Sequence, residues 1–316
     1  MNKLLGQLSS NTNNEEQKKS DNGKNTHKYD TKLTPLPDIQ VLSDRVICIL
    51  GQNPRSMTLQ GTNTYLIGKG KKRMMIDSGE GIESYIPLLK QAMKENDIEE
   101  IIGIICTHWH YDHINGIPSI RKEFGLNIPI YKYESKNMDN KLDLKFNKII
   151  DGQKFKIDDE TTLIIHYTPG HCDDHVVIEL LEENAIFSGD CVLGEGSCIF
   201  KDLYLYMLSL NKLLKFKSDS MYPGHGPKIN DAMKKINYYI QHRNKREEQI
   251  MNVLKLKNNE LNGDYIDSLT ICDIVYDQTP LNLKTQAHNN LKHHLHKLVM
   301  EGRVLKNEQD KYLFVK

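Results

Sequence analysis

Between residues 39 and 226, short apolar runs alternate with stretches whose apolar positions repeat at helical spacing. This alternation predicts strands and helices in succession along the chain. The run IEEIIGIIC at 98–106 is apolar on both faces and predicts a buried strand, whereas residues 81–97 have a helical period. The predicted strands lie in 41–50, 61–68, 71–79, 98–106, 128–133, 154–158, 161–170, 175–190 and 220–226, and the predicted helices in 81–97, 114–125 and 202–216. We therefore expect an α/β fold for this part of the chain.

The pattern changes after Pro227. Residues 232–255 predict one long helix with a polar face, and two further helical segments and two short strand-like runs follow it. Three helices followed by two strands are the layout of a winged helix. We therefore divide the folded chain into a domain at 34–230 and a helical linker with a winged-helix-like domain at 231–316.

The first 33 residues form a polar segment rich in Asn, Lys and Ser. It carries too few apolar side chains to offset the entropy of ordering, so we predict a disordered tail over residues 1–33. The full chain of 316 residues balances 42 basic against 42 acidic residues, so any contact with nucleic acid needs a local patch. No apolar run reaches the roughly 18 residues that span a bilayer, and we expect no membrane partner.

The six cysteines show no CxxC pair and no spacing typical of a disulfide framework. Cys106, Cys191 and Cys272 lie among apolar residues, where reduced core thiols are common. This usage predicts an intracellular, reducing compartment.

Histidine and aspartate residues follow several predicted strands. The run CTHWHYDHING at 106–116 comes directly after a buried strand. Residues two apart on extended backbone point the same way, so His108 and His110 can bind one ion, and Asp112 and His113 can turn toward a second. Zinc prefers such imidazole nitrogens and carboxylate oxygens, and this many ligands at strand ends predict a metal site. The other candidate ligands are His171 in TPGH, Asp190 in SGD and His225 in PGHG.

The motifs THxHxDH, TPGH, SGD and PGHG together resemble the metallo-β-lactamase superfamily over roughly residues 40–230. The resemblance implies an αββα sandwich with two zinc ions at one edge. It assigns His108, His110 and His171 to the first ion, Asp112, His113 and His225 to the second, and Asp190 to a bridge between them. Asp77, at the end of its strand, matches a family residue that supports the site without binding metal.

A narrower resemblance comes from the segments GTNTYLIG, THWHYDHINGI, YTPGHCDDHVV, AIFSGDCVLGEG, YPGHGP and HRNKREEQI. With the winged-helix-like tail, they are similar to the β-lactamase-like protein 2 group, and the match excludes only the N-terminal tail. The resemblance implies a zinc-dependent endoribonuclease of single-stranded RNA, mitochondrial in animals. We therefore expect two Zn²⁺ ions as cofactor, single-stranded RNA as partner, and the mitochondrial matrix or the cytoplasm as location.

The expected chemistry follows from the two metals. Zinc ions roughly 3.5–4 Å apart can share a hydroxide at neutral pH and stabilise both the attacking and the leaving oxygen of a phosphodiester. We predict that this bridging hydroxide is the nucleophile, and the resemblance to the superfamily implies in-line attack by water that leaves a 5′-phosphate and a 3′-hydroxyl. Asp112 and His113 are the predicted catalytic residues, with Asp112 both binding the second ion and orienting the hydroxide.

Three further residues are candidates for substrate contact, each with a structural alternative. Asn63 in GTNTYL can donate to a substrate oxygen, although Asn also suits tight turns. His175, with Asp174, can support the site, contact substrate, or form a hydrogen-bonded pair at a strand start. Lys292 belongs to a C-terminal helix that either meets RNA or forms a solvated face. The basic residues and histidines grouped on this helix are Lys284, Lys292, His293, His294, His296 and Lys297.

Two other classes of function stay open. A glyoxalase II-like hydrolase of a thioester or lactone would use the same seven ligands. The C-terminal module discriminates weakly, because a winged helix binds nucleic acid but also caps or dimerises domains. A binding protein with structural zinc is the non-enzymatic alternative. Structural zinc has four protein ligands, whereas three histidines and a bridging position leave room for solvent, which favours catalysis. The sequence does not predict the oligomeric state.

Overall fold

The computed structural model describes residues 33–142, 144–260 and 263–315. The predicted disordered tail lies outside these residues, except for Leu33, which is exposed.

The first sheet has seven strands, which lie side by side in chain order. They are β1 (Ile39–Val41), β2 (Val46–Leu50), β3 (Asn63–Ile67), β4 (Lys72–Ile76), β5 (Glu100–Cys106), β6 (Ile130–Tyr133) and β7 (Asn147–Ile149). Neighbours are antiparallel from β1 to β4 and parallel from β4 to β7. Helix α1 (Tyr85–Glu95) joins β4 to β5, and α2 (Tyr111–Ile114) and α3 (Ile117–Phe124) join β5 to β6. Helical crossovers are the usual connection between parallel strands.

The second sheet has five strands in the order β12-β11-β10-β9-β8. They are β8 (Lys154–Asp158), β9 (Thr161–Tyr167), β10 (Val176–Leu180), β11 (Ala185–Gly189) and β12 (Ser220–Pro223). Only β11 and β12 are parallel within this sheet of the described chain, and α4 (Leu203–Leu214) joins them. Short 3₁₀ turns occur at Asp139–Lys141, Leu181–Glu183 and Leu281–Leu283.

Alternate side chains of β4 show how the layers are arranged. Met74 and Ile76 belong to the apolar cluster between the two sheets, which also contains Phe187 of β11. Met75, between them, packs on the opposite face in the cluster that contains Leu89 of α1. A third cluster joins the second sheet to α4 and to α5 (Ala232–Glu260). Helices therefore cover both outer faces of two packed sheets, which confirms the expected αββα sandwich.

The C-terminal region has the predicted winged-helix layout. After α5 come β13 (Ile266–Asp267), α6 (Ser268–Val275), α7 (Lys284–Met300), β14 (Val304–Lys306) and β15 (Lys311–Phe314). The strands form a small sheet in the order β13-β15-β14. Asp267 caps α6, since its side chain accepts a hydrogen bond from the backbone N–H of Thr270 at 2.9 Å. The two residues of β13 are too few to show strand periodicity, and the sequence did not predict this strand.

Three other regions differ from the prediction, and one of them is the run 175–190, which forms two strands, β10 and β11, separated by a 3₁₀ turn. The run 41–50 is two strands, because the polar residues Ser43–Arg45 form a turn in which Val46 N–H bonds to Ser43 O at 3.4 Å. Strand β7 is flanked by polar residues and was not expected. The six cysteines are all buried free thiols. Within the described ranges, no helix is long and apolar enough to cross a membrane.

Candidate metal centre

The seven predicted ligands come together where strands of both sheets end. His108 and His110 follow β5, and the next turn of chain, α2, carries Asp112 and His113. The others follow β9, β11 and β12, and they are His171, Asp190 and His225. Their ligand atoms form two adjoining groups, His108, His110, His171 and Asp190 in one, and Asp112, His113 and His225 in the other. Within each group the atoms lie within 4.8 Å of one another, close enough to share an ion.

The first group consists of three imidazole nitrogens and one carboxylate oxygen. His110 Nδ1 lies 2.9 Å from His108 Nε2 and 3.0 Å from His171 Nε2. Oδ2 of Asp190 lies 3.6 Å from His171 Nε2 and 3.9 Å from His108 Nε2. Three nitrogens and an oxygen around one point match the donors that zinc prefers.

The second group consists of two imidazole nitrogens and one carboxylate oxygen, and a second carboxylate oxygen, from Asp190, lies beside it. Oδ2 of Asp112 lies 3.2 Å from His113 Nε2 and 3.3 Å from His225 Nε2. Oδ1 of Asp190 lies 3.5 Å from His113 Nε2 and 3.3 Å from His225 Nε2. Asp190 therefore directs one oxygen to each group, the arrangement expected of a bridging ligand.

Contacts behind Asp190 hold it in this position. Its backbone N–H donates to Nε2 of His175 at 3.1 Å, and Nδ1 of His175 lies 3.0 Å from Thr168 Oγ1. Gly224 lies so close that a Cβ there would sit 2.5 Å from Asp190 Oδ1, so only glycine fits at this position. His175 thus positions Asp190, and both of its ring nitrogens are already engaged.

The second ring nitrogen of four ligand histidines contacts a protein group. Nδ1 of His171 donates to the Ile199 carbonyl at 2.6 Å, and Nδ1 of His225 donates to the Gly61 carbonyl at 3.3 Å. The other two histidines are His108 and His113. Nδ1 of His108 lies 2.9 Å from Thr107 Oγ1, and Nδ1 of His113 lies 2.8 Å from Asp77 Oδ2. A proton on each Nδ1 leaves the Nε2 lone pair free for a metal, as such partners do in metal sites.

Asp77 supports two of these ligands. Its carboxylate accepts hydrogen bonds from Thr107 N–H at 2.7 Å and Thr107 Oγ1 at 2.8 Å, in addition to that from His113. Because Thr107 Oγ1 donates to Asp77, its lone pairs are free to accept from His108. Asp77 has a φ of 56°, a left-handed backbone conformation that is uncommon for a non-glycine residue and tends to occur at functional sites. Asp77 thus lies where the resemblance placed it, behind the ligands.

The loop after β4 also fixes α2. Ser78 N–H donates to the His113 carbonyl at 2.8 Å, and Gly116 N–H donates to the Gly79 carbonyl at 2.9 Å. A Cβ on Gly116 would lie 1.9 Å from Ser78 O, so a larger residue would push the loop away. The predicted helix at 114–125 therefore begins only at Ile117, after this contact.

The two ligand groups differ in their electrostatics. Burial, with the neighbouring imidazoles, lowers the pKa of His108 well below its usual value and that of His110 to about 3. Burial would raise the pKa of Asp112, but His113 and His225 outweigh it and hold that pKa well below the usual range. Burial would lower the pKa of His225, but Asp190 and Asp112 raise it to about 9. A cation that binds the second group therefore displaces protons.

The residues present fit a metal ion. Nε2 of His113 and Oδ1 of Asp190 are buried and have no hydrogen-bond partner among residues 33–142, 144–260 and 263–315. A buried polar atom without a partner costs on the order of 1–3 kcal/mol, and a cation between these two atoms removes that cost. The centre has the donors, geometry and orphaned atoms of a metal site.

Thr62 and Asn53 belong to the site, although no pattern in the sequence indicates it. Thr62 Oγ1 donates to Asp112 Oδ2 at 2.9 Å, and Asn53 Nδ2 donates to Thr62 Oγ1 at 3.0 Å. Both side chains are buried. They lie some distance along the chain from Asp112, and a lone Thr or Asn has no spacing signal that would reveal such a contact.

The predicted substrate residues have different surroundings. Asn63 is buried at the start of β3, and its Nδ2 donates to the carbonyls of Pro223 and Gly226, so it holds the loop that carries His225. Asp174 pairs with the buried Lys132 at 2.8 Å instead of facing the metal centre. Lys292 is exposed on α7 and does not line the cavities described below. A substrate role for Asn63, His175 or Lys292 stays a prediction.

The charge that the sequence places on α7 is partly buried. Lys297 is 6% exposed, and its Nζ lies 2.6 Å from Glu247 Oε2 and 2.7 Å from Glu301 Oε1. His294 is fully buried. These two residues therefore cannot belong to a cationic surface, contrary to the grouping that the sequence suggested.

A cavity of about 240 Å³ opens beside the first ligand group. His171 and Asp190 line it, together with Met57, Leu59 and the loop at 195–199. Within this loop, the Ile199 carbonyl holds His171. A substrate in the cavity would therefore contact two ligands and the segment that orients one of them.

The chain belongs to the metallo-β-lactamase superfamily, as the sequence predicted. Residues 57–225 match the Metallo-beta-lactamase superfamily, and residues 268–311 match the Beta-lactamase associated winged helix domain. Superfamily membership and the His/Asp cluster together indicate a metal-binding hydrolase.

Three relatives show which named proteins this chain is similar to. The chain is 39% identical over 277 residues to the Beta-lactamase-like protein 2 homolog of Drosophila melanogaster, covering 85% of this chain and 92% of the relative. The chain is 42% identical over 275 residues to the Caenorhabditis elegans protein of the same name, covering 86% of this chain and 90% of the relative. An Atrochrysone carboxyl ACP thioesterase of Aspergillus chevalieri is 38% identical over 246 residues, with 78% and 76% covered.

A solved structure shares the fold. A beta-lactamase domain protein from Burkholderia ambifaria superimposes with a TM-score of 0.70 at 16% identity, over 89% of this chain and 95% of that one.

Proposed function

We propose that the protein is a zinc-dependent endoribonuclease that cleaves single-stranded RNA with two metal ions. His108, His110 and His171 would hold one ion, Asp112, His113 and His225 the other, and Asp190 would bridge them. The observation that supports two ions is the division of the Asp190 carboxylate: Oδ2 lies 3.6 Å from His171 Nε2, and Oδ1 lies 3.3 Å from His225 Nε2.

Bound zinc would supply a water of lowered pKa and positive charge beside a phosphate. The residues of the chain would orient the reaction. With Oδ2 of Asp112 directed to the second ligand group and to Thr62, its Oδ1 can accept a hydrogen bond from the attacking water. Asp112 is therefore the catalytic residue that we propose, and Thr62 is its positioning residue.

The charge of the surface next to the centre supports an RNA substrate. Residues 232–246, the first half of α5, contain no Asp or Glu, and four of their five Lys or Arg residues are at least partly exposed, Arg243 being buried. A cavity of about 420 Å³ lies on this segment and shares Gly196 and Ser197 with the cavity beside the metal ligands. An RNA strand with one phosphate at the metal centre would pass these cations where it leaves the centre. Phosphate contacts supply much of the affinity of proteins for nucleic acid.

The test compares substrates with the full-length, zinc-loaded protein. We expect cleavage of a single-stranded RNA but not of the same sequence in a duplex, with 5′-phosphate products. A chelator should stop the reaction and zinc should restore it. Hydrolysis of an acyl thioester without any cleavage of RNA would contradict the proposal.

A thioester hydrolase is the second candidate. Relatives named as thioesterases support it, and so do two apolar side chains at the cavity, Met57 and Ile199, which are 61% and 59% exposed. An acyl chain would cover these side chains, whereas a phosphodiester has no such need. If the natural substrate is a long-chain thioester, replacing both by Ser should raise KM for that thioester and leave RNA cleavage unaffected.

We also propose a reducing intracellular compartment, either the mitochondrial matrix or the cytoplasm. The six buried free thiols support this location, because disulfides form and persist in oxidising compartments. Fractionation of cells that express the full chain tests it. Recovery in the secretory pathway would contradict it.

A further inference from the structure

We infer that α5 carries a stacking subsite for an unpaired base of the RNA, formed by the exposed rings of Tyr238 and His242. The inference rests on the proposed ribonuclease function and adds a second place at which the strand is held. Nothing in the sequence patterns pointed to this helix as a substrate contact.

Tyr238 and His242 lie one helical turn apart and share a face of α5. Their rings are 6.3 Å apart with an angle of 28° between planes, so both present their faces in a similar direction. Tyr238 is 58% exposed. Neither side chain makes a hydrogen bond within the described ranges of the chain, so no hydrogen bond fixes either ring.

The adjacent tyrosine has the opposite role. Tyr239 is buried, its hydroxyl donates to the Gly196 carbonyl at 3.1 Å, and it accepts from Leu193 N–H at 3.2 Å. Arg243 is also buried and donates to Ser197 Oγ at 2.7 Å. One face of α5 therefore holds the loop at the metal cavity, while the Tyr238–His242 face is left for a ligand.

The subsite lies beside the metal centre. The cavity of about 420 Å³ is lined by Tyr238, His242, Lys235 and the loop residues Gly196 and Ser197. The same two loop residues line the cavity that contains His171 and Asp190. An RNA strand that binds at the metal centre can therefore continue over the loop at Gly196 and Ser197 to the rings of Tyr238 and His242.

The charge around the rings suits a nucleic acid. Burial lowers the pKa of His242, and the positive charges of Arg243, Arg246 and Lys245 lower it further. Lys235 lines the cavity, and its Nζ donates to the Gly194 carbonyl at 3.2 Å. Exposed aromatic faces among cations are the usual way in which proteins bind single strands without sequence preference.

A third cavity extends the same path toward α7. It measures about 350 Å³, shares Ser197 and Arg243 with the α5 cavity, and is lined on α7 by Gln286, Asn289 and Asn290. Amide side chains can bond to the edges of unpaired bases. Helix α7 of the winged-helix domain would thus contribute polar contacts to the bases, and α5 would contribute the stacking contacts.

The test measures the Kd of a fluorescein-labelled single-stranded RNA for the zinc-loaded full chain, in an Asp112→Ala background that prevents cleavage. We expect Tyr238→Ala to raise Kd about tenfold and Tyr238→Phe, which keeps the ring, to retain tight binding. The control is Leu256→Ala, because Leu256 is 57% exposed on the same helix but lies outside the three cavities. The same RNA in a duplex should bind more weakly, since its bases cannot stack on a ring.

A Tyr238→Ala protein that binds single-stranded RNA with the Kd of its parent would overturn the subsite, and so would equal losses in the Phe and Ala variants. These outcomes are separable from failure of the proposed function. If the intact enzyme cleaves RNA but Tyr238→Ala has no effect on Kd, only the subsite fails. If RNA binds through Tyr238 but the intact enzyme does not cleave it, only the nuclease function fails.

Discussion

Histidines cluster in two regions of this protein, the metal centre and α7, and their surroundings differ. At the centre, Nδ1 of His171 donates to the Ile199 carbonyl and Nε2 faces the ligand group. On α7, His294 is fully buried, and neither of its ring nitrogens has a hydrogen-bond partner within the described ranges. Its neighbour His293 packs its ring against Phe200.

Whether a histidine is suited to bind metal therefore depends on the group behind its ring more than on the number of histidines nearby. In four of the five candidate ligand histidines, one nitrogen contacts a protein group that can hold it in place and the other is free to face an ion. His108 and His113 meet this condition through Thr107 and Asp77. His294 has no such acceptor and is a neutral core residue.

The strongest test of the centre removes the shared ligand. Asp190→Ala deletes the carboxylate whose two oxygens face both groups. We expect turnover to fall about a thousandfold or more, because both ions lose a ligand. Steady-state kinetics checks this, with Asp159→Ala as control, since the Asp159 side chain is fully exposed. Activity near that of the unaltered protein would show that the centre is not the site of the reaction.

A second test removes a partner behind the ligands. Asp77→Asn takes away the carboxylate that accepts from His113 Nδ1. We expect metal affinity to fall about 10–100-fold, the usual cost of losing such a partner. Competition with a zinc-binding dye measures it, and Asp97→Asn on an exposed turn is the matched control. Unchanged affinity would mean that orientation of His113 does not depend on Asp77.

A third test concerns His294. Burial, with the positive charges of Arg243 and Lys297, lowers its pKa to about 3. In the unfolded chain the usual value is about 6.5, so acidification protonates the unfolded state first, and stability falls as pH drops from 6.5 toward 3. Between pH 8 and pH 5, protonation of His294 in the unfolded chain should lower the free energy of unfolding by about 2 kcal/mol.

His294→Leu should remove that share of the pH dependence. Urea unfolding at the two pH values measures it, with His296→Leu on the exposed face of α7 as control. An equal acid sensitivity of the His294→Leu and unaltered proteins would show that His294 is not neutral in the fold.

The smallest expected effect separates α5 from α7. Lys245 is exposed on the acid-free part of α5, whereas Lys292 is exposed on α7 outside the cavities. We expect Lys245→Gln to reduce the slope of log Kd for RNA against log salt by about 1, as loss of one phosphate contact does. Lys292→Gln should change it less, and a larger effect at Lys292 would place the strand on α7 instead.

The convergence of the seven candidate ligands was predictable because they follow strands. A strand end puts a side chain at the edge of a sheet, so the short patterns around His108, His171 and Asp190 carry positional information. The αββα layers were predictable for a similar reason, since alternation along β4 and the helical period of α1 identify the buried faces.

The supporting contacts were not predictable. Thr62 reaches Asp112 across 50 residues of chain, and His171 is held by a backbone carbonyl that any residue would supply. Lys297 of α7 is neutralised in the interior by Glu247 of α5, which is also 50 residues away along the chain. A charge count along α7 contains no information about that partner.

We propose a centre for two ions that share Asp190, and metal analysis by mass spectrometry of the intact native protein measures the number of ions. We expect two zinc ions per chain in the saturated protein, and one or none in Asp190→Ala. A single zinc ion per saturated chain, or two ions retained after loss of Asp190, would contradict it.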